Sequence, residues 1–278
     1  MPILGSFGAG SGRGFGQQGA AFKPMTATGG TITEVGDYKV HTFTSPGTFE
    51  VTEASNDPTG NEVEYLIVGG GGGMGFGYGG AGGAGGYRAA GCGPAPLQGS
   101  NVPTPVTSYP VSIGAGGAGG PVMPVGPYSP ASNGTPSSAI GLTGAGGGFG
   151  ASTPGSATGG PGGSGGGAGG PGSLSGFVAG GTGNTPPVSP PQGNNGESGP
   201  TPEGNQGGGA GAAGASPRTG VTGVTNSIDG TSRKYACGGR SGQGTPDSIS
   251  PRANSGFGGT CQGVAGCSGI VIIRYRIA

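Results

Sequence analysis

The chain has no tryptophan, one histidine and only 8% charged residues. A single imidazole cannot contribute to a multi-histidine metal site, and His41 has no serine or cysteine nucleophile motif beside it. Eleven basic and eleven acidic residues leave a formal charge of zero, which removes electrostatic steering toward nucleic acid or anionic lipid. The acidic residues are scattered, with Glu197, Glu203, Asp229 and Asp247 in separate loops, so no carboxylate pair suggests acid–base chemistry. No stretch approaches the roughly 20 apolar residues of a membrane span. The opening Met1-Pro2-Ile3-Leu4 lacks the charged and apolar regions of a secretory signal. The expectation is synthesis in a cytoplasm, with any exit by a route such as virion release. These absences point away from an enzyme, and no cofactor or metal is expected.

Two familiar motifs are present in form only. Residues 80–85 and 114–119 both read G-A-G-G-A-G, the spacing of a dinucleotide-binding turn. That turn must open a helix whose N-terminus meets pyrophosphate. The second is followed by Pro121-Val122-Met123-Pro124, which cannot be that helix. Asn133-Gly134-Thr135 matches a glycosylation sequon, but Asn-Gly is first a turn signal. Cys92, Cys237, Cys261 and Cys267 form no C-x-x-C and allow three disulfide pairings. Free, small buried thiols fit better than one disulfide or a zinc site, both of which stay open.

What the chain does have is glycine, 78 of 278 residues, with 26 prolines. That composition usually signals low complexity. Disordered chains, however, usually join low hydrophobicity to high net charge, and this one is neutral. Only 30% of residues are hydrophobic, and glycine brings no side-chain area while losing the most backbone entropy on ordering. A conventional apolar core therefore cannot be the main source of order. Hydrogen bonding between close-packed extended chains is the alternative.

Four textures follow one another. Residues 1–28 read as an arm that lies on a partner, anchored by Phe7, Arg13, Phe15 and Phe22. The remaining 29–278 read as one glycine-rich domain. Within it, Tyr38 to Thr44 and Thr48 to Thr52 are β-branched and aromatic runs. Ser45-Pro46-Gly47-Thr48 between them fits a type II turn, so a hairpin is expected. Glu62 to Val68 alternates and then turns fully apolar, a strand buried on both sides. Tyr109-Pro110-Val111 suits a sheet edge. At the end, Ile273, Tyr275 and Ile277 share one face of a strand, with Arg274 and Arg276 on the other. Its expected partner is 62–68, which makes a small antiparallel sheet from both chain ends that clamps the body at 69–267.

In that body, runs such as GGAGGAGG and GAGGAGG lack the strict G-X-Y repeat of collagen. A period near three nevertheless suits extended threefold helices of the polyproline II shape, which rise about 3.1 Å per residue without internal hydrogen bonds. Their amides and carbonyls must find partners in neighbouring helices, and glycine lets the backbones come close enough. Alanine is expected only where it faces a gap or the outside. The fold class is thus mainly β and irregular, with a body of packed polyglycine II helices and little or no α-helix. The loops 121–139, 184–204 and 241–255 are stiffened by proline and carry Tyr128, Asn194, Asn195, Glu197 and Arg252. Such residues on pre-ordered loops suit glycan or protein recognition.

The succession VEYLIVGGGGGMGFGYGGAGGAGGYR, SYPVSIGAGGAGG, NGTPSSAI and the closing SGIVIIRYRI resembles glycine-rich phage tail-fibre proteins, particularly those of marine cyanophages. The opening GSFGAGSGRGFGQQG is similar to the N-terminal segment of such virion proteins. More distantly, the body resembles the distal long-tail-fibre adhesins of T-even-like phages, which stack polyglycine II helices and expose variable loops. The resemblance implies a tail-located virion protein assembled in the host cytoplasm and attached through residues 1–28 to other tail proteins. It also implies oligomers on the virion and host-surface contact through Tyr128, Asn194, Asn195, Glu197 and Arg252. A virion decoration protein that binds no host, and a non-viral structural or antifreeze-like protein, are the alternatives.

Overall fold

The computed structural model describes residues 21–120, 131–152, 158–170, 178–199, 204–215, 222–241, 253–260 and 264–278. Among them there is no α-helix, only two short 3-10 turns, at Pro58–Asn61 and Ala95–Leu97. The strands in chain order are β1 (Thr26–Thr28), β2 (Thr31–Val35), β3 (Tyr38–Phe43), β4 (Gly47–Glu53), β5 (Glu62–Val68), β6 (Tyr87–Ala90), β7 (Val102–Pro103), β8 (Ser108–Val111), β9 (Ser137–Ala139), β10 (Leu142–Gly144), β11 (Val224–Asn226), β12 (Arg233–Tyr235) and β13 (Ile270–Arg276). The main antiparallel sheet has the order β2-β3-β13-β5-β6, with β7 also on β5.

The expected pairing of both chain ends is present: Ile270 to Arg274 of β13 lie opposite Val68 to Glu64 of β5. Alternation sends the side chains of these strands to two cores. Val63, Tyr65, Ile67, Val271, Ile273 and Tyr275 pack on one face with Phe43, Phe49 and Val51. Leu66, Val68, Ile270 and Ile272 pack on the other with Tyr87, Val224, Ile228 and Tyr235.

The hairpin expected over 38–52 does not form. β3 pairs with β2 and β13, whereas β4 pairs with β1 and β8 in a separate three-stranded sheet. The 44–46 segment is therefore an arch between sheets. Phe43 and Phe49 both enter the core between those sheets, and their burial outweighs the local turn preference. Gly29 permits the tight fit beside the arch: its φ is +105°, and a Cβ there would stand 1.9 Å from the Thr48 carbonyl oxygen. Pro110 does lie at a sheet edge, since β8 is the outer strand of the order β1-β4-β8. Residues 26–28, placed with the arm on sequence grounds, pair with β4, and Met25 is buried in the same core.

The glycine body is a set of threefold helices bonded main chain to main chain. Gly69, Gly72 and Gly75 donate to Gly86, Gly83 and Gly80; Gly70 and Gly73 donate to Thr135 and Ser132; Gly71 and Met74 donate to Cys267 and Val264, all at 2.9 to 3.1 Å. Every third residue therefore meets the same neighbour. The carbonyls of 70–74 accept from three more segments, through Gly147 and Gly150, Gly117 and Gly120, and Gly259. The run 69–75 thus has six neighbours.

The run 80–86 also has six. It donates to 145–151, to Asn205 and Gly208, and to Gly256 and Gly259; it accepts from 69–75, from Ser164 and Gly167, and from Gly239. No glycine in either run has positive φ, as a polyproline II backbone requires.

Register passes unbroken from sheet to array. Val68 lies opposite Tyr87 in the sheet, and the Gly69–Gly86, Gly72–Gly83 and Gly75–Gly80 bonds continue that pairing. Ile270 opposite Val68 continues as Gly71 to Cys267 and Met74 to Val264. Only the repeat changes, from two residues to three.

Close approach explains the glycine. A Cβ at Gly70, Gly71 or Gly72 would lie 2.0 to 2.1 Å from a neighbouring carbonyl oxygen, inside any permissible contact. Alanine occurs where the threefold repeat opens outward, where it meets the sheet, and also inside the array, where Ala81, Ala151 and Ala168 are fully buried. Ala115 and Ala118, three apart, are exposed, whereas Ala84 joins the apolar core under Leu66 and Val68.

Candidate functional site

The described residues chosen from sequence as recognition groups are largely engaged in holding the array together. Asn194 Nδ2 donates to the Gly209 and Ala210 carbonyls at 2.9 and 3.1 Å. Asn195 Oδ1 accepts from Gly183 N at 2.8 Å, although the residue is exposed. Glu197 is only 8% exposed, and its Oε2 accepts from Gln206 N at 2.9 Å. Where a loop leaves the threefold repeat, these side chains replace the missing main-chain partners. Gln192 does the same and was not foreseen: its Oε1 accepts from Ala145 N at 2.9 Å and its Nε2 donates to Pro186 O at 2.8 Å. Tyr128 and Arg252 lie outside the described residues, as do Phe7, Arg13 and Phe15. Phe22 is 39% exposed, with the Arg276 guanidinium 5.8 Å from its ring centre.

A different surface has the form of a site. Beside β2, the outer strand of the main sheet, lies a half-open groove of about 390 Å³, within the usual range of small-molecule sites. Its sheet side is built from threonines. Thr31 and Thr42 lie directly opposite each other across β2 and β3, with Thr33 two residues further along β2 and Thr44 just past the end of β3, at the start of the arch. The facing wall is the β11–β12 hairpin with Asp229, Thr231, Arg233 and Lys234. Ala253, Asn254 and Ser255 close one side; they end the 241–255 loop singled out on sequence grounds.

The hairpin wall is firmly held. Asn226 Nδ2 donates to Tyr87 Oη and to Cys92 O at 2.8 and 2.9 Å, and its Oδ1 accepts from Ile228 N at 2.8 Å. Burial pushes the Tyr87 phenol up to about 12, so it stays neutral. The turn rests on the end of β2, where a Cβ on Gly230 would come within 2.7 Å of Val35 Cγ1. Asp229 accepts from Thr231 N at 3.0 Å and pairs with Arg233 at 3.6 Å. Lys234 is exposed and takes part in none of the ion pairs among the described residues. No sequence motif marks this groove, because its threonines read as ordinary strand residues until the hairpin is folded against them.

Other titratable groups are structural. The Arg274 guanidinium holds Glu64, with Nε to Oε2 at 2.7 Å, and lies 4.2 Å from the Tyr38 ring centre. His41 is fully buried between the sheets. Its Nδ1 donates to Gly29 O at 2.8 Å, and its ring meets Phe49 and Tyr275. Burial pulls its pKa below the ordinary value, partly offset by the Gly29 bond, with nearby Lys39 lowering it further. Cys92, Cys237 and Cys267 carry free thiols, and burial pushes Cys237 up to about 11. Among the described residues no three or more His, Cys, Asp or Glu side chains group to hold a metal, and no helix is long and apolar enough to cross a membrane.

The sequence model of a family described as glycine-rich domain matches residues 43–276. The chain belongs to the glycine-rich domain family. The match covers β4 to β13 and every threefold run described above. It begins at Phe43, the last residue of β3, so β1, β2 and most of β3 precede the matched region. No curated protein matches the chain.

Proposed function

We propose that this glycine-rich domain protein is a structural virion protein of a bacteriophage, a tail fibre or adhesin. In this reading it is fixed to other tail proteins through its N-terminal segment, is oligomeric on the virion, and presents surface to a host-cell glycan or protein. The observation that carries the proposal is the six-neighbour packing of the runs 69–75 and 80–86. A body held by main-chain bonds on every side, and anchored in register to a sheet, is a stiff support for surface features. The likeness of VEYLIVGGGGG and SGIVIIRYRI to tail-fibre sequences supplies the viral assignment. The role is binding rather than catalysis.

A second reading has an observation in its favour. Asn194, Asn195 and Glu197 bond within the array, which suits a tail or decoration protein that binds no host. Cryo-microscopy of purified particles of the encoding phage, with antibody against the chain, tests the proposal. Density and label at the tail are expected, and absence from particles overturns it. Binding of the free protein to host cells then separates adhesin from decoration protein.

A further inference from the structure

We propose that the groove between β2–β3 and the β11–β12 hairpin binds an acidic saccharide. Lys234 and Arg233 receive its carboxylate, and Thr31, Thr33, Thr42 and Thr231 receive its hydroxyls. This deepens the attachment reading and rests on it only for biological purpose, since the chemistry stands on the groove itself. Each threonine hydroxyl can donate one hydrogen bond and accept two, which matches sugar hydroxyls that do the same. Three of the groove's threonines, Thr31, Thr33 and Thr42, come from two adjacent strands of one sheet, and Thr44 follows at the start of the arch, so they present a two-dimensional polar floor. A peptide adding to the sheet would instead use the main chain of β2 at its free edge. Among the described lining residues the only aromatic, Tyr235, is buried, so recognition by these residues is polar and not by ring stacking.

Charge selects among sugars. Asp229 is matched by Arg233 at 3.6 Å, and the ammonium of Lys234 is left without an ion-pair partner among the described residues. The described lining residues therefore carry one net positive charge, which favours a carboxylate-bearing ligand. The wall that carries this charge is set by Asn226, Tyr87 and Val35 contacts, so little ordering is needed on binding.

The test compares a glucuronate-containing tetrasaccharide with neutral cellotetraose by calorimetry and by amide shifts in the full chain. The acidic probe should bind more tightly and shift the amides of residues 31–33 and 229–235. Lys234→Gln should weaken the acidic probe about tenfold, the scale of one charged hydrogen bond, while leaving the neutral probe and the melting temperature unchanged. Thr33→Val, also at an exposed position, should weaken both probes. Equal affinity for the two sugars, shifts elsewhere, or no effect of Lys234→Gln would overturn the proposal, as would shifts confined to β2 on adding an extended peptide. Whole-cell binding separates the two readings. Cell binding that survives Lys234→Gln without acidic-sugar binding sinks the groove alone, and acidic-sugar binding without cell binding sinks the attachment reading alone.

Discussion

β5 and the glycine run that continues it are one stretch of chain under two packing regimes. Along Glu62–Val68 the side chains alternate between two apolar cores, and the main-chain bonds go to two flanks, β13 on one side and β6 followed by the short β7 on the other. From residue 69 the side chains all but vanish, six neighbours replace two, and the repeat becomes three. In the strand, apolar area removed from water stabilises at roughly 25 cal/mol per Å². In the run, each main-chain bond contributes only about 0.5–1.5 kcal/mol net against the large entropy loss of glycine. The array must therefore make its bonds in all directions at once, and its backbones take the place of core side chains.

Substitutions can break this comparison. The largest effect is expected at Gly116→Val and Gly165→Val. A Cβ at those positions would lie 1.8 Å from Gly266 O and 1.9 Å from Gly181 O, and neither neighbour is a side chain that can swing away. A loss of at least about 3 kcal/mol, the upper range for overpacking, should appear in thermal or urea melts. Unchanged melting would remove the array. Ile272→Ala, at a fully buried position, should cost about 2–5 kcal/mol by the ordinary cavity route. If it cost nothing, the sheet would not be the apolar clamp described.

Smaller effects sharpen the picture. Acid should weaken the sheet end through His41. Its folded-state pKa is lowered, so the unfolded chain takes up the proton first as pH falls below about 6.5. Stability is then fully present above that pH and declines as pH falls toward the depressed folded value. Denaturation midpoints between pH 7 and pH 5 should show this slope in the native chain and lose His41's share of it in His41→Phe. The smallest effect is predicted at Ala118→Val, an exposed site in the run that holds Gly116. A change within about 0.5 kcal/mol would show that position along the threefold repeat, rather than glycine richness, decides tolerance.

The contrast also explains what could be read in advance. Glu62–Val68 and Ile270–Arg276 were legible because alternation and apolar runs report burial directly. Threefold helices were legible in outline because Gly-Ala runs keep alanine at three-residue intervals, as at Ala115 and Ala118. The arch at 44–46 was not, since Pro46-Gly47 describes a turn without saying which sheet each flank joins. The roles of Asn194, Asn195 and Glu197 were hidden for a related reason. A polar side chain on a loop looks free until the main-chain groups it completes are brought beside it. The groove was least legible, because it joins Thr31 and Thr42 to Lys234 across nearly the whole chain.

Native-state hydrogen exchange of the amides of 69–75 and 80–86 tests the central claim most directly. These amides all donate to other segments, so they should exchange only through global opening, as slowly as those of β5 and β13. Exchange at open-chain rates in the two runs, with β5 and β13 still protected, would contradict a glycine core.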